Sequence, residues 1–194
     1  MRAFIAVEPS AEARGALAEL ADEMRAALGS RARALSFVRP ASLHLTLKFL
    51  GETEVARVSR LAQALSPCLR DFAPFAVALE GAGFFPPRGG PRVAWAGVAE
   101  GAAQLGALAA AVDRAAVDLG FAPEERPYRA HLTLARVKDR RAGRAVVRAL
   151  EPYAAARFGR FPVQRVVLFR SETLPDGALH SPVASFPLGT EALP

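Results

Sequence analysis

Cysteine is nearly absent: Cys68 is the only one in 194 residues, which excludes an internal disulfide and any metal site built from several cysteines. It sits in an apolar run from Leu61 to Leu69 that reads as helix. Burial is the simpler expectation there, because a nucleophilic thiol needs a nearby base and an electropositive setting. Long hydrophobic runs are missing too. No stretch of about 18 apolar residues goes uninterrupted by charge, and Met1 to Val7 has neither the core length nor the cleavage motif of a signal peptide. These absences predict a chain that crosses no membrane and works in a reducing cytoplasm. Lysine is scarce, with Lys48 and Lys138 alone, so the net charge of +6 and the pI near 10.6 are carried by arginine. Guanidinium suits bidentate phosphate contact and base stacking, although arginine and alanine together also follow from a GC-rich coding sequence. No serine stands in a nucleophile-elbow pattern, which counts against a serine-type triad.

What is present is a repeat. Histidine occurs three times, and two of the three open the same tetrapeptide, His44-Leu45-Thr46-Leu47 and His131-Leu132-Thr133-Leu134. A strand turns alternate side chains to opposite faces. Each copy therefore offers one imidazole and one hydroxyl on one side, with leucines turned to the core.

The surroundings repeat as well. Arg2 to Glu8 reads as a strand, Ser10 as the cap of a helix to Leu28, Leu35 to Val38 as a short strand, and Leu43 to Leu50 as the first histidine strand. A helix from Val55 to Leu69 and a strand from Phe75 to Leu79 follow. The glycine- and proline-rich segment Gly81 to Pro91 reads as a loop. Then the order recurs: strand Arg92 to Val98, helix Ala102 to Leu119, a turn over Pro123 to Pro127, and the second histidine strand. A helix near Gly143 to Leu150, a strand near Val163 to Arg170, a turn at Pro175-Asp176-Gly177 and a strand near Val183 to Leu188 close the chain. With 52% hydrophobic residues, the length fits one two-lobed domain over 1–194, its matched halves packed about a pseudo-twofold axis with His44 facing His131. The bland alternative is a duplicated scaffold with two surface histidines.

Imidazole exists in both protonation states near neutrality. Two of them on opposite sides of a phosphorus atom act as a pair, one accepting a proton from water and the other donating to the departing oxygen. The threonine hydroxyls would donate to the non-bridging oxygens as charge builds up on them. A metal is the competing use of histidine, but the partner position on each strand is threonine rather than a second ligand, and Glu124, Glu125 and Asp139 share no strand face with His131 at short spacing. No metal and no cofactor is expected.

These residues resemble the 2H phosphoesterases, and more narrowly the RNA 2',3'-cyclic phosphodiesterases once called 2'-5' RNA ligases. The likeness is carried by Arg2-Ala3-Phe4-Ile5-Ala6-Val7, by His44 through Gly51, by Gly83-Phe84-Phe85-Pro86 and Arg92 through Val98, by Arg126 through Arg136, and by Phe186-Pro187-Leu188. It covers essentially the whole chain. The resemblance implies an α+β bilobal fold, with antiparallel sheets lining a central groove and helices outside. It implies hydrolysis of a terminal 2',3'-cyclic phosphate to a 2'-phosphomonoester, with His44 protonating the 3' leaving oxygen and His131 activating water. Run backwards with a 5' hydroxyl, the same transfers make a 2'-5' linkage. The partner implied is RNA with a 2',3'-cyclic phosphate end; no protein partner is inferred and a monomer is expected.

Around this set stand residues with two readings. Arg136 matches a family arginine that contacts phosphate, yet strand alternation gives it the opposite parity from His131, so it reaches the groove only if the strand twists, bulges or ends near Ala135. Phe49, at the same offset from His44, either stacks on a base or belongs to the core. Lys48 shares parity with His44 and Thr46 and is the preferred further phosphate neighbour, with a solvated lysine as the alternative. Arg88 and Arg92 either follow an RNA backbone or form a solvated rim. His180 falls in an apparent turn, outside the catalytic set, and Trp95 is expected to anchor the core. Two other functions stay open: a 2H enzyme for a small cyclic nucleotide or ADP-ribose cyclic phosphate, and a noncatalytic RNA-end binding module.

Overall fold

The computed structural model describes residues 1–88, 90–174 and 177–189. Its strands are β1 (Arg2–Val7), β2 (Leu35–Phe37), β3 (Leu45–Glu52), β4 (Phe75–Phe85), β5 (Val93–Glu100), β6 (His131–Val137), β7 (Arg157–Val163), β8 (Arg165–Leu174) and β9 (Gly177–Pro187). The helices are α1 (Ala11–Leu28), α2 (Val55–Arg70), α3 (Ala102–Asp118) and α4 (Gly143–Leu150). Local chemistry sets their ends. Ser10 Oγ accepts the Ala13 N–H at 3.2 Å and so opens α1. Gly29, at φ +55°, closes it in a conformation that glycine adopts without a Cβ penalty. Between these ends Leu17, Leu20, Met24 and Leu28 recur every three or four residues and are buried. Each such side chain contributes roughly 1.5–3 kcal/mol of transfer free energy.

All strand pairs are antiparallel and form one sheet in the order β7-β4-β5-β6-β3-β1-β8-β9, with β2 pairing beside β6. The order is symmetric about its middle. Strands β7-β4-β5-β6 make one lobe and β3-β1-β8-β9 the other, joined through a single residue pair, Leu45 with Leu132. Helices α1 and α4 pack together, α1 also lying against β7, while α2 and α3 pack together against β9 and β3. The main apolar core lies between helices and sheet. A second, small cluster of Phe4, Ala6, Val167 and Phe169 is separate from it. The fold is α+β and bilobal.

The halves of the sequence repeat are not the lobes. Strand β4 leaves the first half to pair with β5, and β8 leaves the second half to pair with β1. Each half lends the other a strand. Three further expectations change. Much of Gly81 to Pro91 is not loop, because β4 runs on to Phe85. Its glycines answer close contacts: a Cβ on Gly83 would lie 2.5 Å from the Trp95 ring, and one on Gly81 2.8 Å from the Ala154 carbonyl oxygen. The strand read near Val163 is two strands, β7 and β8, parted at Gln164; β7 carries Pro162 but lies at the sheet edge, where a missing N–H is tolerated. The last strand begins at Gly177 rather than Val183. Pro175 and Asp176 of the expected turn lie outside the described residues.

Candidate active site

The Leu45–Leu132 pair sits at the second residue of both tetrapeptides. In an antiparallel pair this register sets His44 across from Thr133 and Thr46 across from His131, all on the face opposite the buried leucines. The two motifs thus meet at the junction of the lobes, related by the symmetry of the sheet.

Both strands then bulge at the same place. Ala6 pairs with Thr46 and Ile5 with Lys48, which leaves Leu47 without a partner. Trp95 pairs with Thr133 and Ala94 with Ala135, which leaves Leu134 without one. An extra residue in a strand reverses the facing of everything after it. Leu47 and Lys48 are consequently both buried, as are Leu134 and Ala135, while Phe49 and Arg136 turn outward to the groove.

This inversion corrects the reading of Lys48. Its ammonium lies on the core side, 5% exposed, ion-paired with Asp113 of α3 and donating to the Ala122 carbonyl at 2.8 Å. It does not face the groove. Arg136, by contrast, lines a cleft of about 380 Å³ together with His44, Thr46, Phe49 and Thr133. Phe49 is 61% exposed there and is not a core residue.

The imidazoles are oriented alike. His44 Nδ1 is 2.8 Å from the Ser42 carbonyl oxygen and His131 Nδ1 is 2.7 Å from that of Arg129, each two residues back along the chain. A carbonyl accepts, so each Nδ1 donates and each Nε2 is left for chemistry. The environments differ. His44 rests on the aromatic floor, 4.6 Å from the Phe4 ring, which itself stacks on Phe169. Burial in this setting pushes the His44 pKa down to about 4, and the charges of His180, Arg136 and His131 act in the same direction against the upward pull of the Ser42 carbonyl. His131 meets Phe85 edge-on at 5.1 Å.

Three features were missed in the sequence. His180 lies on β9 rather than in a turn, lines the same cleft, and sets its ring 5.2 Å from that of His44. Burial lowers its pKa as well. Alternation along β9 was the available signal, hidden because β9 was not read that far back. Arg2 and Arg39 line the cleft from β1 and the segment after β2. Trp95 pairs with Thr133, so it occupies the groove face, packed on Phe85 and Gly83 rather than in the core. Arg88 and Arg92 are exposed and do not line this cleft. Cys68 donates to the Leu65 carbonyl within α2, and burial raises its pKa, which suits an inert thiol. Among the described residues no three His, Cys, Asp or Glu side chains cluster as a metal site, and no helix is long and apolar enough to cross a membrane.

The chain matches the model of the 2'-5' RNA ligase superfamily over residues 6–174. An RNA 2',3'-cyclic phosphodiesterase of Methanothermobacter thermautotrophicus is 32% identical over 97% of this chain and 99% of its own. One of Archaeoglobus fulgidus is 34% identical over 96% and 99%. A crystal structure from Thermus thermophilus superposes with a TM-score of 0.79 at 32% identity, covering 98% of this chain and all of that one. Escherichia coli LigT complexed with 3'-AMP shares the fold, with a TM-score of 0.78 at 24% identity over 97% and 98% of the two chains. The chain belongs to the 2'-5' RNA ligase superfamily.

Proposed function

We infer that the protein hydrolyses a terminal 2',3'-cyclic phosphate of RNA to a 2'-phosphomonoester by paired acid and base catalysis. One observation carries this: two identical motifs meet at Leu45 and Leu132 and present two imidazoles whose Nδ1 positions are both committed to backbone carbonyls. Full-length relatives with the corresponding names support it. His131 takes a proton from water through Nε2 as the oxygen attacks phosphorus. The bond to the 3' oxygen breaks, and His44 gives that oxygen its proton. Thr46 and Thr133 donate to the non-bridging oxygens, where charge grows in the transition state. Arg136 adds charge-assisted contacts at the cleft wall, and exposed Phe49 offers a face to a base.

The depressed pKa of His44 has a consequence for this assignment. In the free protein at neutral pH the ring is largely neutral. A bound phosphate anion favours the imidazolium, so substrate binding and protonation of His44 are linked. The acid is loaded by the charge that it serves. With a 5' hydroxyl in place of water, the reverse transfers would join RNA ends through a 2'-5' linkage. The test is turnover of a short oligonucleotide ending in a 2',3'-cyclic phosphate. A 2'-phosphate product supports the reading; turnover of a cyclic mononucleotide alone moves the substrate to a small nucleotide, and binding without turnover makes the groove a noncatalytic module.

A further inference from the structure

Charge is unevenly spread along this chain. From Met24 to Gly51 there is no Asp or Glu, and from Arg126 to Leu150 Asp139 is the only one. The fold brings these two acid-poor segments together, because β2 of the first pairs with β6 of the second: Leu35 with Val137, Ser36 with Arg136, Phe37 with Ala135. At one end of this ladder Ser36, Phe37, Arg39 and Arg136 line the catalytic cleft. Beyond the other end, the segment after α1 and helix α4 enclose a separate concavity of about 520 Å³. Its walls are Arg31, Arg141, Arg144 and Arg148, above Ala145 and Ala149.

Only one of those four guanidinium groups is neutralised by an acid. Arg141 is held by Asp139 at 2.9 Å, whereas Arg31, Arg144 and Arg148 have no carboxylate within ion-pair distance among the described residues. All three are exposed, so folding does not require them to be paired. Lys138 and Arg140 lie exposed along the way. Phe37 is six positions after Arg31, so the concavity lies at most about 20 Å along the backbone from the cleft wall. An oligonucleotide of several residues spans that distance.

We propose that the arginine concavity between α1 and α4 binds the phosphodiester backbone of the same RNA whose cyclic end lies in the cleft, several nucleotides upstream of that end. Guanidinium recognises phosphate oxygens through paired N–H donors. Contacts of this kind hold an RNA strand without reading its bases, and they are felt as salt dependence. The concavity is a second basic surface, in addition to Arg2, Arg39 and Arg136 of the cleft. The proposal rests on the functional reading above only for the identity of the RNA end.

The test uses Arg144→Glu/Arg148→Glu and the charge-preserving Arg144→Lys/Arg148→Lys, with thermal melting to show that both are folded. First, binding of an RNA of about ten nucleotides with a 2'-phosphate end is followed by fluorescence anisotropy across salt concentrations. The glutamate pair should bind roughly tenfold more weakly at low salt. The slope of log K against log salt should fall by about 1.4 in magnitude, as expected for two lost single-strand phosphate contacts. The lysine pair should stay near wild type. Second, kcat/KM is measured for that RNA with a cyclic end and for a cyclic mononucleotide. The glutamate pair should lose activity on the RNA and keep it on the mononucleotide. Equal RNA binding by wild type and the glutamate pair would overturn the proposal, as would equal losses on both substrates. Absence of turnover by the wild type with either substrate would instead strike the catalytic reading, since the binding arm reports on the concavity by itself.

Discussion

Leu45 pairs with Leu132, and this one bridge between β3 and β6 joins the two lobes at the centre of the repeat. Its effect is to give each imidazole a threonine from the other motif as its cross-strand neighbour. Neither lobe has a complete set of groups alone. The groove is therefore a property of the junction, and its chemistry depends on how the sheet is threaded rather than on either tetrapeptide.

Stability should fall as the medium is acidified through the range set by His44. An unfolded histidine titrates near 6.5, and burial holds the folded group to about 4. Between those values the unfolded chain binds more protons, so stability is full above about pH 6.5 and is lost toward pH 4. The gap corresponds to at most about 3 kcal/mol. Melting temperature measured from pH 7 to 4 should drop less steeply in His44→Gln than in wild type; identical slopes would contradict the placement of this ring on the aromatic floor.

Lys48 ties β3 to α3 and is predicted to matter for stability. Replacing it with methionine leaves Asp113 only the Glu124 N–H as a donor, at a cost of up to about 3 kcal/mol read by chemical denaturation. The folded fraction should retain near-native kcat/KM. A large loss of turnover with unchanged stability would mean that the ammonium reaches the phosphate.

Arg136→Ala and Phe49→Ala should act on substrate. Both side chains stand on the cleft side of their bulges, so their removal should spare the melting temperature. Loss of the stacking face of Phe49 should weaken RNA binding by roughly 1–3 kcal/mol, read as a higher KM.

Excess EDTA should leave hydrolysis unchanged, since the proposed proton transfers use imidazole nitrogens. Activity lost on chelation and restored by zinc would argue for a metal-assisted route.

Much of the site was legible because a strand repeats every two residues and His44-Leu45-Thr46-Leu47 recurs intact at His131. The orientation of the next residues was not. Whether Lys48 or Phe49 faces the groove depends on Leu47 finding no partner on β1, a fact of pairing that the β3 sequence does not contain. The same holds for Leu134 and Arg136, where a bulge was the stated condition for reaching the groove and the pairing with β5 supplies it. His180 escaped because the sequence suggests a strand only from Val183, whereas β9 pairs with β8 from Gly177 onward, so the alternation began too late. The glycines of β4 look like loop signals in isolation. Their meaning appears only when the Trp95 ring lies on Gly83.

The most direct test of the paired mechanism is single-turnover hydrolysis of an RNA carrying a 2',3'-cyclic phosphate by wild type, His44→Ala and His131→Ala, with the product phosphate located. The expected result is a 2'-phosphate from wild type and a loss of roughly 10²–10⁴ in rate for each variant, with melting temperatures showing both folded. Near-wild-type turnover by either variant, or a 3'-phosphate product, would contradict it.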